Sequence, residues 1–351
     1  MQGKVAIPVR KERRVNAANA HHTTGNLLIQ SPVTPSRLEG GSSTRMSFTD
    51  WWGNSLTIRT KTFLIIVTAL LVFLLIVVLP IRTLLLNSFT SLENEQAITD
   101  YDRADKALNL QIDSIARIAR DYASSDETYN FIENPSSDYL QTTIPKQVMQ
   151  NFHLNVVAVY DLQGDLLYKG SYDYINATSR DLPDYFKRPG MAQDALLKYS
   201  DEWASNRGII MVSNMPMMVV SFPILTNDSK GPSRGWFVMG RYLGQDSIDR
   251  LSATTHLDIS FRDYASLTAE QVTAAPKGAK LHVGPVDDNT ISAAGVLPSL
   301  YGEPALLMTI TEPRTIYNHG RDVVSFLVLV LVCAVIAMVI LALILVERVL
   351  L

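Results

Sequence analysis

Six residues between positions 121 and 129 have the side chains and the spacing to build a polar site. Tyr122, Asp126 and Tyr129 stand at i, i+4 and i+7, so a helix presents them on one face, with Asp121, Ser125 and Thr128 on the adjacent one. Such a set can hold a polar ligand or lock the helix to its neighbours. A carboxylate buried there needs a partner, and Arg234, Arg241 or turn amides can supply one. Enzymatic chemistry has less support. His21, His22, His153, His256, His282 and His319 show no metal-ligand spacing. No nucleophile triad, His-Glu-x-x-His or phosphate-loop pattern is evident. The expectation is therefore a chain without catalytic residue, metal or cofactor.

The elements that position these residues follow from where the apolar side chains lie. Of 351 residues 47% are hydrophobic, an ordinary average that conceals two blocks. Thr62 to Ile81 are twenty residues without a charge, and as a helix they reach roughly 30 Å, the thickness of a bilayer core. Val323 to Val346 are another twenty-four. A buried helix of a soluble protein would end nearer 10 to 14 apolar residues, and a signal peptide has a shorter core than the first block, so both blocks read as membrane spans. Lys and Arg set the orientation: residues 1–61 carry nine of them against three acids, whereas the segment between the spans carries twenty against thirty. The basic flank belongs inside. The resulting division is a largely disordered cytoplasmic tail over 1–61, a first span over 62–88, an extracytoplasmic domain over 89–322, a second span over 323–346 and a cytoplasmic stub over 347–351.

Within the tail, Arg10, Lys11, Arg13 and Arg14 face solvent or lipid headgroups and not nucleic acid. Trp51 and Trp52 suit the membrane interface, and Met46 is a candidate start of translation. Cys333, the one cysteine, lies in the second span, so the outer domain forms no disulfide and is held by a core of its own. Its first element is a stalk: Tyr101, Ala104, Leu108, Ile112, Ile115, Ala119 and Tyr122 recur in steps of three and four, predicting one helix from the first span to about Glu133. Strands follow at Leu154 to Tyr160, Leu166 to Gly170, Gly208 to Val212, Met217 to Leu225 and Gly235 to Tyr242. Helices are expected at Ala192 to Tyr199 and Gln245 to Thr255, with further strands at Leu257 to Arg262 and Ala305 to Ile310. The fold class is α+β: two transmembrane helices flank a PAS-like or Cache-like extracytoplasmic domain, a five-strand meander with a long N-terminal stalk helix.

The run Asp121-Tyr122-Ala123-Ser124-Ser125-Asp126-Glu127-Thr128-Tyr129-Asn130-Phe131 resembles the Asp-Trp-Ala-x-Trp-Asp-Asp-Thr-Tyr-x-Phe pattern of the fourth class of CHASE domain. These are extracellular sensors of cyclases and histidine kinases. Pro223 to Asn227, Gly231-Pro232-Ser233-Arg234-Gly235 and Met239-Gly240-Arg241-Tyr242-Leu243 resemble that family's later signature. Tyr122 and Ser125 stand where the pattern has tryptophans. The resemblance makes Asp121, Asp126, Thr128, Tyr129, Gly231, Pro232, Gly235, Gly240 and Arg241 family-motif residues with a structural part. It implies a homodimer, a helix entering the membrane after the sensor, and an output module beyond it. PAS-like domains hold ligands between sheet and inserted helices, which makes Tyr160, Tyr168, Tyr172, Asp173, Arg207, Met211 and Phe222 a search region for the ligand.

The function that follows is the input half of a transmembrane receptor. An extracytoplasmic ligand biases two arrangements of the dimer, and a helix shift crosses the membrane to a histidine kinase or a diguanylate cyclase or phosphodiesterase outside this chain. Glu347-Arg348-Val349-Leu350 resembles the approach to a HAMP linker, which favours a chain that continues. The alternatives are an envelope interaction protein that transmits nothing and an envelope enzyme with a dispersed site.

Overall fold

A computed structural model describes residues 57–135, 142–144, 146–199, 204–274 and 281–350. Most of the segment read as a tail, with Met46, Trp51 and Trp52, lies outside them, as does Leu351. The first element, α1 (Ile58–Ala123), is a single helix of 66 residues that contains both the first apolar block and the stalk. Pro80 lies inside it, and the nearby Thr83 hydroxyl donates to the carbonyls of Leu79 at 3.1 Å and Pro80 at 3.0 Å. The predicted stripe is the buried face: Tyr101, Ala104, Leu108, Ile112, Ile115 and Ala119 are all in the core. At the other end of the chain, α6 (Thr315–Leu350) carries the second apolar block. Both helices are long and apolar enough to cross a membrane, with mean hydropathy of 3.3 and 3.5 in their most apolar stretches. Their apolar side chains are exposed, Ile65 at 60%, Phe73 at 58% and Phe326 at 68%, unlike those of a core helix in a soluble protein.

Between them lie two antiparallel sheets, where one meander was expected. The first comprises β1 (Val156–Asp161), β2 (Leu166–Asp173), β3 (Thr178–Ser179), β4 (Asn206–Val212), β5 (Met215–Pro223) and β6 (Gly235–Tyr242), in the order β3-β2-β1-β6-β5-β4. The second comprises β7 (Asp258–Asp263), β8 (His282–Pro285), β9 (Thr290–Pro298) and β10 (Pro304–Pro313), in the order β7-β10-β9-β8. Three short helices stand beside them: α2 (Asp126–Phe131), α3 (Lys146–Asn151) and α4 (Gln245–Thr255), with α5 (Ala269–Ala274) after β7. The domain is α+β as expected, with a second sheet added.

The stalk is the spine of both sheets. Nearest the apolar block, Glu93 meets Arg314 at the start of α6, and Tyr101 packs against Gly295 of β9. Farther out, Asp113 pairs with Arg207 of β4 at 2.5 Å, Arg120 lies 5.5 Å over the Phe222 ring of β5, and Tyr122 stacks on Phe237 of β6. The four-strand sheet is thus proximal to the apolar helices and the six-strand sheet distal. In β9 Ile291, Ala293, Gly295 and Leu297 turn inward, and any side chain at 295 would meet the Tyr101 phenol, its Cβ 2.2 Å from Oη. That close approach requires glycine.

The stalk ends earlier than expected. Leu225 N donates to the Ala123 carbonyl at 3.0 Å, and Ser124 bridges to Leu225, pulling the chain off the helix axis before α2 restarts it. The far face of the distal sheet is covered by the segment after β3, whose Phe186, Met191, Leu196 and Leu197 bury Tyr160, Ile210 and Val219. The helix expected over Ala192 to Tyr199 is instead a 3-10 turn, Met191–Gln193, followed by irregular chain. The reason lies in Asn206, whose side-chain amide donates to the carbonyls of Ala195, Leu196 and Lys198 at 2.7, 3.2 and 2.9 Å. Those carbonyls need no helical partner.

Candidate functional site

An open cleft of ≈ 460 Å³ lies between the β2–β3 turn, β6 and the start of α4. Its floor is Tyr172, Tyr174, Tyr242 and Asn155, and its rim is Asp173, Arg180, Asp181 and Asp246. Asn155 sits just before β1 and ties its neighbours together: its Nδ2 donates to the Tyr172 carbonyl at 3.1 Å, and its Oδ1 accepts from Tyr242 N at 2.9 Å. Asp173 shapes the turn that follows β2. Its Oδ1 accepts from the amides of Ile175 and Asn176, each at 3.1 Å, and its Oδ2 from Asn176 Nδ2 at 2.8 Å and Arg180 at 2.5 Å. Hydrogen bonds from the Asn176 side chain and backbone, with Arg180 behind them, hold this carboxyl down at about 2. The opposite wall is the Tyr174 hydroxyl, which donates to Asp246 at 2.5 Å, while Asp246 pairs with Arg250 one helical turn on at 2.9 Å. Burial, followed by that acidic neighbour, pushes the Tyr174 phenol up. The rim thus offers fixed carboxylates and one guanidinium over an aromatic floor, a surface able to orient a small polar solute.

Of the seven ligand candidates, Tyr172 and Asp173 line this cleft. The others lie elsewhere. Tyr160 is fully buried on the covered face of the distal sheet, where its hydroxyl donates to the Phe186 carbonyl at 2.8 Å and burial pushes the phenol up. Tyr168, Met211 and Phe222 pack in the core on the stalk side. Arg207 is exposed and spent on Asp113. Tyr174, Asn155 and Asp246 were missed. The Asp246 and Arg250 pair is visible as an i, i+4 spacing on a predicted helix, but nothing in the sequence joins it to a tyrosine 72 residues away.

The motif residues meet at the far end of the stalk. Asp121 and Asp126 are exposed, so the buried carboxylates expected there do not occur. Asp126 and Asn227 instead exchange hydrogen bonds, each backbone amide donating to the other's side-chain oxygen at 3.0 Å. Ser125 caps α2, its Oγ accepting from Thr128 N at 3.1 Å, and the buried Thr128 hydroxyl donates to the Tyr122 carbonyl at 2.7 Å. Tyr129 donates to the carbonyl of Pro232, which follows Gly231, at 3.1 Å, and Arg234 lies 3.8 Å over the Tyr129 ring and pairs with Glu133 at 2.7 Å. Gly235 lets β6 press on β1, since a Cβ there would lie 2.1 Å from the Tyr160 carbonyl oxygen. Gly240 likewise faces Met217, and Arg241 donates to the carbonyls of Phe152 and His153. Among the described residues no group of three His, Cys, Asp or Glu side chains is placed to hold a metal ion.

Residues 107–262 match the CHASE4 domain. Over 218 residues the chain is 23% identical to the methanogenesis regulatory histidine kinase FilI of Methanothrix harundinacea (strain 6Ac), an alignment covering 62% of this chain and 24% of the relative. The chain therefore spans about a quarter of that protein's length. Among solved structures it is similar to the extracellular domain of vpHK1S-Z8, described as a histidine kinase, at 14% identity and a TM-score of 0.45 over 66% of this chain and 95% of that one. It is also similar to the periplasmic domain of Vibrio cholerae LuxQ, at 8% identity and a TM-score of 0.38 over 62% and 99%.

Proposed function

With a CHASE4 sensory domain over residues 107–262, we propose that this chain is the input module of a transmembrane receptor. It senses a small extracytoplasmic ligand and passes a helix shift to a cytoplasmic histidine kinase or cyclic-di-nucleotide enzyme. The observation that carries the reading is continuity at both ends of the sensor. α1 runs unbroken from the apolar block along both sheets, and β10 leads through Pro313 and Arg314 straight into α6. A rearrangement of either sheet against the stalk is therefore a displacement of one apolar helix against the other. A ligand shifts such an equilibrium only by its differential affinity for the two arrangements, and displacements of about 1 to 2 Å are usual for helices in these transitions.

In this reading both apolar helices cross the inner membrane in contact with lipid, the basic N-terminal flank and the stub after Val346 lie in the cytoplasm, and two copies act together as a homodimer. The cleft beside Asp173 and Asp246 is the ligand site. The test has two steps. The full chain in nanodiscs is screened for metabolites that raise its melting temperature, as any ligand of the native state must. Spin labels on Leu84 and Phe326, both exposed, then report the spacing of the two apolar helices with Cys333 replaced by Ser. A hit that moves this distance supports signalling. Binding with an unchanged distance would leave an envelope binding protein in its place.

A further inference from the structure

Leu306, Met308 and Ile310 of β10 are buried in the core shared with the stalk. Side chains of a strand alternate between its faces, so the next position on that inward face is Glu312. An acid thus closes a row of apolar side chains, two residues before Arg314 leads the chain into α6.

Glu312 Oε1 is buried and accepts no hydrogen bond. The side chain as a whole is half-buried, which keeps the carboxyl within reach of protons from solvent. The charged groups of this junction are engaged elsewhere or turned away. On the stalk Arg103 pairs with Asp100 and donates to the Thr255 carbonyl at 3.2 Å. Arg314 is held by Glu93 at 2.9 Å. In the β8–β9 turn Asp287 accepts from the amides of Asn289 and Thr290. Across the sheet, β9 sets the apolar Ile291 opposite Glu312, while Asp258 of β7 pairs with Thr311 and so lies on the other face. His256, at the end of α4, is exposed. A carboxylate oxygen taken out of water without a donor favours the protonated form. Burial accordingly pushes the pKa of Glu312 up, and Arg103 offsets only part of the rise.

We propose that Glu312 is a proton-operated latch between β10 and the stalk. Neutral, the carboxyl seats against α1 and leaves Asp100 and Arg103 to each other. Ionised, it needs water or the Arg103 guanidinium, and either one moves β10 off the stalk just before the chain enters α6. Acid outside therefore favours the tight arrangement and alkali the loose one, a shift set by the differential affinity of the two for one proton. The folded chain binds this proton more tightly than the unfolded chain does. The stability it brings is complete below the ordinary glutamate value of about 4.3, and it is lost as pH rises through the higher folded value. Coupling to α6 rests on the reading that β10 passes its movement to that helix; the titration does not.

The test compares the full chain in nanodiscs with Glu312→Gln, which holds the neutral form, and Glu312→Met, an apolar side chain of similar length. Melting temperatures are measured from about pH 8 to about pH 5. Both variants are expected to melt higher than the unsubstituted chain at the alkaline end, with the gap closing toward the acid end. Amides over residues 305–313 should exchange about fivefold more slowly in Glu312→Gln at the alkaline end. Spin labels on Leu84 and Phe326, with Cys333 replaced by Ser, should report a spacing that changes with pH in the unsubstituted chain and stays at its acid value in Glu312→Gln. Melting curves with the same pH dependence in all three chains would overturn the latch, whether or not the chain is a receptor. A gap that closes in acid while the spacing never changes with pH would overturn the coupling to α6, and a ligand that still moved the spacing would leave the receptor reading intact.

Discussion

Arg314 Nε lies 2.9 Å from Glu93 Oε2, joining the first residues past β10 to the stalk, and both side chains are buried. The other carboxylate oxygen of Glu93 accepts the Tyr317 amide at 3.3 Å, while the guanidinium packs 4.0 Å over the Tyr317 ring. Three residues farther along α6, Gly320 admits the ring of Phe89. The sensory region thus meets both apolar helices at one ion-paired collar.

Removing one partner of a buried ion pair costs about 3 to 5 kcal/mol, because the other charge is left buried and unpaired. Glu93→Leu and Arg314→Met are each expected to destabilise the chain on that scale in urea unfolding. The double substitution should recover most of the loss, since two apolar groups of similar size leave no orphan charge. Additive losses would mean that the pair is not coupled.

A second joint links the cover of the distal sheet to the proximal one. Tyr301, in the β9–β10 loop, donates to Asp194 at 2.9 Å and meets the Tyr185 hydroxyl, while Leu300 N donates to the Ile209 carbonyl at 2.8 Å. Arg188 closes the cluster on Asp194. Tyr301→Phe is expected to speed amide exchange over residues 184–197 at least fivefold and leave β1 and β6 unchanged. Uniform exchange rates across the variant would contradict the link.

The Asp173 carboxyl, held at about 2, lies below the ordinary aspartate value of about 3.9. Its ionised form therefore stabilises the fold fully above about pH 4. The contribution is lost as pH falls from about 4 to about 2, where the folded form takes up its proton. Asp173→Asn should be less stable than the unsubstituted chain at pH 7, and the gap should close on acidification through that window. A gap independent of pH would show that the charge is not what stabilises the turn.

Ser125→Ala removes the cap of α2 and is expected to cost about 0.5 to 2 kcal/mol. Ser125→Asp should retain most of the stability, because aspartate caps equally well. Thermal unfolding of the two variants separates the cap from a packing effect.

Much of this architecture could be read from residue order. The stalk stripe from Tyr101 to Tyr122, the two apolar blocks and α4 have long, uninterrupted periods, and the structure reproduces them. The proximal sheet was half hidden: Ser292, Ala293, Ala294 and Gly295 are poor strand formers, and of them only Ala293 and Gly295 turn inward, Gly295 against Tyr101 of the stalk. Ala192 to Tyr199 has a helical pattern, and the donor that competes for its backbone carbonyls, the Asn206 side-chain amide, lies beyond it in the chain. Tyr172 and Asp173 were legible as cleft residues, being aromatic and acidic at a strand end. The Tyr174 to Asp246 contact and the bonds from Arg241 to the Phe152 and His153 carbonyls were not, since each depends on segments brought together only by the fold.

Placement of the folded region outside the cytoplasm, between two membrane-crossing helices, underlies the proposed function. It is tested most directly by labelling Ile175→Cys, a position 67% exposed, in a Cys333→Ser chain with a membrane-impermeant maleimide. The account predicts full labelling on intact spheroplasts, unchanged by lysis; labelling only after lysis would contradict it.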